Sequence, residues 1–414
     1  MTTTPSTPET AATLDVARVR AAFPALDLGA AHFDGPGGSQ VPAVVADAVG
    51  ATMTAGLANR GTLTEAELRA ERVVAEARAA VADLLGADPR GVVFGRSMTQ
   101  LTFDLSRTLS RDWGPGDEVV VTRLDHDANI RPWLIAAERS GATVRWLEFD
   151  PETAELDDIA PLLTERTRLV AVTAASNLLG TRPDVPSIAA AAHEVGALVY
   201  VDGVHLAPHS PIDVSALGAD FLACSPYKFF GPHLGAVVAD PALLETLRAD
   251  KLVPSSDAVP ERFELGTLPY ELLAGVTAAV DFMAGLALGD DGEPADRRTR
   301  VLTSMATVER HEAALLQRLL DGLGSLDGVV LHGAPARRTP TVLFSVAGRT
   351  GREVSARLAA AGVNAPASHF YAIEASRHAG LGDDGAVRAG IAPYTSTGEV
   401  DLLVATVSQM LTPR

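Results

Sequence analysis

The chain has 414 residues, 47% of them hydrophobic, enough for a large core domain with a smaller one beside it. Its formal net charge of −18 speaks against nucleic-acid and anionic-membrane partners, because both need a basic face. The single cysteine, Cys224, excludes a disulfide framework within the chain and suits a reducing, cytoplasmic setting.

Residues 1–12 are rich in Thr and Pro and are expected to form a flexible arm. They have neither the basic start nor the apolar stretch of a signal peptide. No uncharged apolar run approaches the ~18 residues of a membrane span. The segment 13–40 is expected to join a small domain. It contains GPGGS (35–39), half of a dinucleotide-binding fingerprint, but Val-Pro follows it instead of a helix. Those glycines are better explained as letting backbone approach a site.

From 41 to 290 short apolar runs alternate with amphipathic ones, which defines the expected large domain. GVVFG (91–95), DEVVVT (117–122), ATVRWLEF (142–149), RLVAVTAAS (168–176), ALVYVDG (197–203) and ADFLACS (219–225) read as buried strands. Helical patterns lie between them at 98–110, 128–140 and 185–195, and long ones flank the set at 63–86, 270–288 and 298–323. Strands alternating with helices imply an α/β fold with a mostly parallel sheet covered on both faces. The segment 285–298 reads as an exposed loop. Residues 291–414 are expected to form a small α+β C-terminal domain, with strands in GVVLHG, TPTVLFSVAG and AVRAGIA and helices near 351–362 and 397–411.

Ligands of an open parallel sheet bind beyond the carboxyl ends of its strands. Ser97, after the first strand, can cap a helix whose free N–H groups would receive a phosphate. The later strands end at His126, at Ser176 and Asn177, at Asp202 followed by His205, and at Ser225 followed by Lys228. The chain has only two lysines, Lys228 and Lys251, and Lys228 sits in the apolar run SPYKFFG. Burial of that kind lowers a lysine pKa and frees the amine as a nucleophile. A lysine, an acid, polar donors and a phosphate seat together match the needs of pyridoxal 5'-phosphate. The His and Asp spacing in DHDAN fits no zinc pattern, so no metal is expected.

The run YVDGVHLAPHSPIDVSALGADFLACSPYKFFGPHLG resembles the class V aminotransferase family of fold type I PLP enzymes, and within it the cysteine desulfurases. DHDANIRPW, SNLLGT, RFELGT and VRAGIAPYTSTGEVD fit in the same order, and FDGPGGSQVP is similar to the opening of the cysteine desulfurase-like branch. The resemblance covers roughly residues 15 to 411. It implies that Lys228 bonds the cofactor aldehyde and shuttles a proton at the substrate Cα, and that Asp202 partners the ring nitrogen. It implies that His126 stacks on the ring and that Asn177 and His205 contact the ring hydroxyl. Met98, Thr99 and Ser225 would bind the phosphate. Gly266 and Thr267 would reach the phosphate of a second subunit, in a homodimer with shared sites. Arg388 would clamp the carboxylate of a small amino-acid substrate.

Three departures from the family pattern stand out. The desulfurases carry a loop cysteine that accepts sulfur, whereas the matching segment here, NAPASHFYAIEA (364–375), has none and places Tyr371 near that position. Pro366 stands where the family has a nearby arginine, and Tyr227 where a histidine usually precedes the lysine. Cys224 reads as a buried strand residue rather than a replacement nucleophile. The expected reaction is therefore β-elimination at a C–S bond without persulfide relay. The alternatives are an aminotransferase, an epimerase or a decarboxylating enzyme, and, outside catalysis, a non-catalytic PLP-binding protein. Tyr270, Tyr371, His369 and Phe370 are candidates to shape the substrate pocket.

Overall fold

The computed structural model describes residues 13–287 and 295–411. The expected arm at 1–12 and half of the expected loop at 285–298 lie outside the described residues.

Seven strands form the main sheet: β1 (Val92–Gly95), β2 (Glu118–Thr122), β3 (Thr143–Leu147), β4 (Thr167–Thr173), β5 (Leu198–Asp202), β6 (Phe221–Cys224) and β7 (Gly235–Ala239). Their order is β1-β7-β6-β5-β4-β2-β3. Every strand but β7 runs the same way; β7 lies antiparallel between β1 and β6. Alternate residues feed two cores. Val120, Val170, Val172, Val199, Val201 and Leu222 face the helices Glu65–Leu85, Val185–Glu194 and Tyr270–Ala284. Val119, Val121, Leu169, Ala171, Tyr200 and Phe221 face Met98–Leu109 and Arg131–Ser140. This period of two, apolar on both sides, is what a doubly covered parallel sheet requires.

Several elements were not among the expected ones, and β7 and the helix Ala43–Met53 are two of them. β7 (GAVVA) is short and flanked by glycine-rich sequence. The helix Ala43–Met53 buries only Val45 among its side chains, so it has no apolar stripe to betray it. Boundaries also moved, two of them at helix ends. The helix expected over 270–288 stops at Ala284, before Gly285, and the one expected over 128–140 starts at Arg131 after a 3-10 turn at Asp127–Asn129.

A second sheet is antiparallel throughout, with Ala367–Ser368, Ala386–Gly390, Thr341–Val346 and Val329–His332 in that spatial order. Helices Arg297–Gly324, Gly351–Ala360 and Thr397–Leu411 share its core. The early strand Ala31–His32 pairs in parallel with Val363–Asn364, and Gly390 N donates to the Phe33 carbonyl at 2.8 Å. The start of the chain is thereby fixed to its C-terminal part. Between the sheets, Thr339 N donates to the Gly180 carbonyl at 2.8 Å and Arg182 N to the Arg337 carbonyl at 2.9 Å.

Candidate active site

The carboxyl ends of β1, β2, β4, β5 and β6 open onto one cavity of about 340 Å³, closed on its other side by residues 368–371 and Arg388. Beyond β1, the Ser97 hydroxyl accepts from Gln100 N at 3.1 Å and caps the helix Met98–Leu109. Met98 and Thr99 line the cavity at that helix start; Ser97 stands behind them. The helix can come this close because residue 235 on β7 is glycine. A Cβ there would overlap the carbonyl carbon of Ser97 and the amide nitrogen of Met98.

β2 leads to Asp125 and His126. Asp125 is fully buried. Its carboxyl bonds the Thr122 hydroxyl and accepts from Asn129 Nδ2 at 2.7 Å and Thr173 N at 3.0 Å, and burial pushes its pKa up to about 8. These bonds hold the turn that presents His126. Burial, with the charges of Lys228 and Arg388, pushes the His126 imidazole down to about 4. Its Nδ1 accepts from Ala128 N at 3.0 Å, so a neutral ring carries its proton on Nε2.

β5 delivers Asp202 and β6 delivers Lys228. Asp202 is buried and accepts from Val204 N at 2.9 Å. Burial raises its pKa to about 6 against the pull of that bond and of Lys228. Lys228 donates to the carbonyl of Pro36. Burial, then the charge of Arg388, lowers its amine to about 7, opposed by Asp202. A lysine in this state supplies neutral amine near neutral pH. GPGGS does bring backbone to the site. Pro36 and Gly37 line the cavity, and a Cβ on Gly37 would lie 3.5 Å from Arg388 Nη2.

Arg388 is buried, and no carboxylate among the described residues bonds it. Its Nη1 donates to the Asn177 carbonyl at 2.8 Å, its Cζ lies 3.7 Å from the Phe370 ring centroid, and its Nε has no partner among the described residues. Burial lowers its pKa to about 9. Asn177 Nδ2 donates to the Phe370 carbonyl at 2.9 Å, which leaves Oδ1 buried and unpartnered.

The cavity thus gathers Lys228, Asp202, His126, His205, Asn177, Met98, Thr99, Ser225, Arg388 and Tyr371, with His369 and Phe370 beside them. Gly266 and Thr267 lie exposed and outside it. Tyr270 is also outside; its hydroxyl accepts from Arg60 N at 3.3 Å. His205 lines the cavity, but its Nε2 is engaged by the hydroxyls of Thr341 at 3.0 Å and Thr339 at 3.1 Å. Tyr227 stacks on His233 with centroids 4.8 Å apart. The Pro36 carbonyl, the two threonines and Asp125 carry no chemistry signal in the sequence; each is recruited by position alone.

These groups fit pyridoxal phosphate on features of this structure. Two buried polar atoms, Asn177 Oδ1 and Arg388 Nε, lack partners among the described residues, and their residues face the cavity. A helix start and the Ser225 side suit a phosphate, Asp202 a pyridinium nitrogen, and Lys228 an aldehyde.

The family model for Aminotransferase class-V matches residues 31–403. An uncharacterised protein of Mycobacterium tuberculosis, MT3887, is 37% identical over 404 residues, spanning 96% of this chain and 99% of its own. A cysteine desulfurase of Klebsiella pneumoniae is 30% identical over 415 residues, spanning 95% and 97%. The crystal structure of the Escherichia coli cysteine desulfurase CsdA, in S-sulfonic acid form, matches with a TM-score of 0.83 at 27% identity, over 96% of this chain and 99% of that one.

Proposed function

Because the chain belongs to the class-V aminotransferase family and is a pyridoxal-phosphate-dependent enzyme, we propose that it is a C–S β-lyase that needs no persulfide relay. One observation carries this reading. No sulfur lies where a relay would need it: the segment facing Lys228 across the cavity is His369-Phe370-Tyr371, and Cys224 is fully buried in β6. Burial pushes that thiol up to about 12, far from a reactive thiolate.

The bound cofactor supplies an electron sink for the pair left on the substrate Cα. The chain's residues do the rest. Arg388 offers Nε, left free by its other contacts, to the substrate carboxylate. Asp202 would hold a proton at the ring nitrogen of the bound cofactor, and neutral His126 would present an uncharged ring for stacking. Lys228 takes the proton from Cα. The Cβ–S bond then breaks with its electron pair leaving on sulfur, which takes the proton from Lys228 and departs as a thiol. The remaining enamine takes up water and yields a keto acid and ammonia.

Gly266 and Thr267 support a homodimer with shared sites. They stand exposed beside Leu265, an apolar residue 53% exposed. No helix among the described residues is long and apolar enough to cross a membrane.

The test is release of keto acid and thiol or sulfide from cysteine or a cysteine S-conjugate with no keto-acid acceptor present. Product formation without acceptor supports the lyase. Strict dependence on an added keto acid overturns it in favour of transamination.

A further inference from the structure

We propose that the corner His369–Phe370–Tyr371 recognises the substrate's β-substituent, and that the substrates are amino acids whose β-sulfur carries an uncharged, planar group rather than free cysteine. This rests on the elimination reading of the site and names its substrate class.

The corner is held in place. Phe370 and Tyr371 both adopt left-handed backbone, at φ 50 and 59, a conformation that side-chain-bearing residues avoid unless their surroundings impose it. Three hydrogen bonds impose it here. Asp127 N donates to the Tyr371 carbonyl at 2.8 Å, Asn177 Nδ2 to the Phe370 carbonyl at 2.9 Å, and Tyr371 N to His369 Nδ1 at 3.1 Å. Two of these anchors come from the loops after β2 and β4 that carry His126 and Asn177. The corner is therefore part of the wall and not a swinging arm.

The wall is made of flat rings. Phe370 backs the Arg388 guanidinium, so carboxylate anchoring and the corner are one assembly. Tyr371 stacks on His126, with centroids 5.6 Å apart and planes 22° from parallel. His369 meets Tyr371 edge-on at 6.4 Å. Tyr371 is 70% exposed at the mouth, so part of its ring surface is free. A substituent on Cα, between the Lys228 amine and the carboxylate held at Arg388, would share the cavity with these rings. Aromatic partners are the groups such a surface favours.

Charge argues the same way. Asp202, buried at the floor, is the one acid among the described residues that line the cavity. A cationic substituent would find no counter-charge at the mouth. An additional carboxylate would have Arg388, already committed to the substrate's own, and Lys228, needed neutral as the base.

The holoenzyme should be mixed with L-cysteine, S-methyl-L-cysteine, S-carboxymethyl-L-cysteine and S-phenyl-L-cysteine. The first change in cofactor absorbance reports binding, and keto acid release is followed separately. S-phenyl-L-cysteine should bind about tenfold or more tighter than the S-methyl compound, a factor set by one aromatic contact plus burial. Tyr371→Ala should remove most of that preference, and Tyr371→Phe should keep it. Equal affinities in the wild type overturn the proposal. So does a Tyr371→Ala variant that weakens every ligand alike, because that is the mark of a structural role. A preference in binding without keto acid would sustain the corner and sink the elimination. Keto acid from all ligands without a preference in binding would do the reverse.

Discussion

The Nε2 of His205 lies 3.0 Å from the Thr341 hydroxyl and 3.1 Å from that of Thr339. A residue placed by the loop after β5 is thus held by Thr341 of the second sheet and by Thr339 just ahead of that strand. Replacing both with valine leaves a buried imidazole nitrogen without a partner, at about 1–3 kcal/mol. The double variant should lose that much stability in urea unfolding and release cofactor faster. The single Thr341→Val variant should lose clearly less, because Thr339 remains.

The low pKa of the Lys228 amine gives a pH signature. The nucleophile is the neutral form, so attachment of pyridoxal phosphate to apoprotein should accelerate with rising pH and level off above about 7. An amine at its ordinary value would keep gaining about tenfold per pH unit well beyond pH 9. Arg388→Gln removes one cation that lowers this pKa, so the midpoint should move upward. Lys228→Ala should abolish the covalent attachment and the activity, and turnover retained in that variant would contradict the assignment.

Gly235→Ala tests the phosphate seat from behind. The added methyl group has only backbone to displace at Ser97 and Met98, so the helix start must shift. Cofactor retention after gel filtration should fall sharply while the fold persists. Gly114→Ala, where an added Cβ meets nothing within 4 Å, should leave retention at the wild-type level.

Cys224→Ser separates a packed thiol from a reactive one. The side chain is buried in β6 and its thiol is pushed up to about 12. Turnover should stay within about threefold of wild type, with about 1–3 kcal/mol lost in stability from a poorly paired hydroxyl. A drop in kcat beyond about a hundredfold would mean that the sulfur takes part in the chemistry.

The site was legible where chemistry sits at strand ends. β2, β4, β5 and β6 are continuous buried runs, and a parallel sheet places whatever follows them on one edge. Asp202 and Lys228 could therefore be brought together from sequence alone. β7 was not legible, because a short antiparallel insertion leaves no mark on a strand–helix rhythm. The partners of His205 were hidden by distance, Thr341 lying 136 residues further on. The corner at Phe370 and Tyr371 was hidden for another reason. No turn rule places two bulky residues in left-handed backbone, and only the hydrogen bonds of the assembled fold hold them there.

Lys228 bonds the carbonyl of Pro36, and Pro36 follows a strand whose pairing partner, Val363–Asn364, is made more than three hundred residues later. A nascent chain on the ribosome consequently carries its reactive amine well before the segment that anchors Pro36 has emerged. Strand Ala31–His32 must wait, unpaired, for nearly the whole polypeptide. A product truncated before residue 363 would keep Lys228 and Asp202 yet lack the strand that pairs with Ala31–His32, leaving the turn at Pro36 held through the bonds of Ser39 to Tyr227 and Phe230.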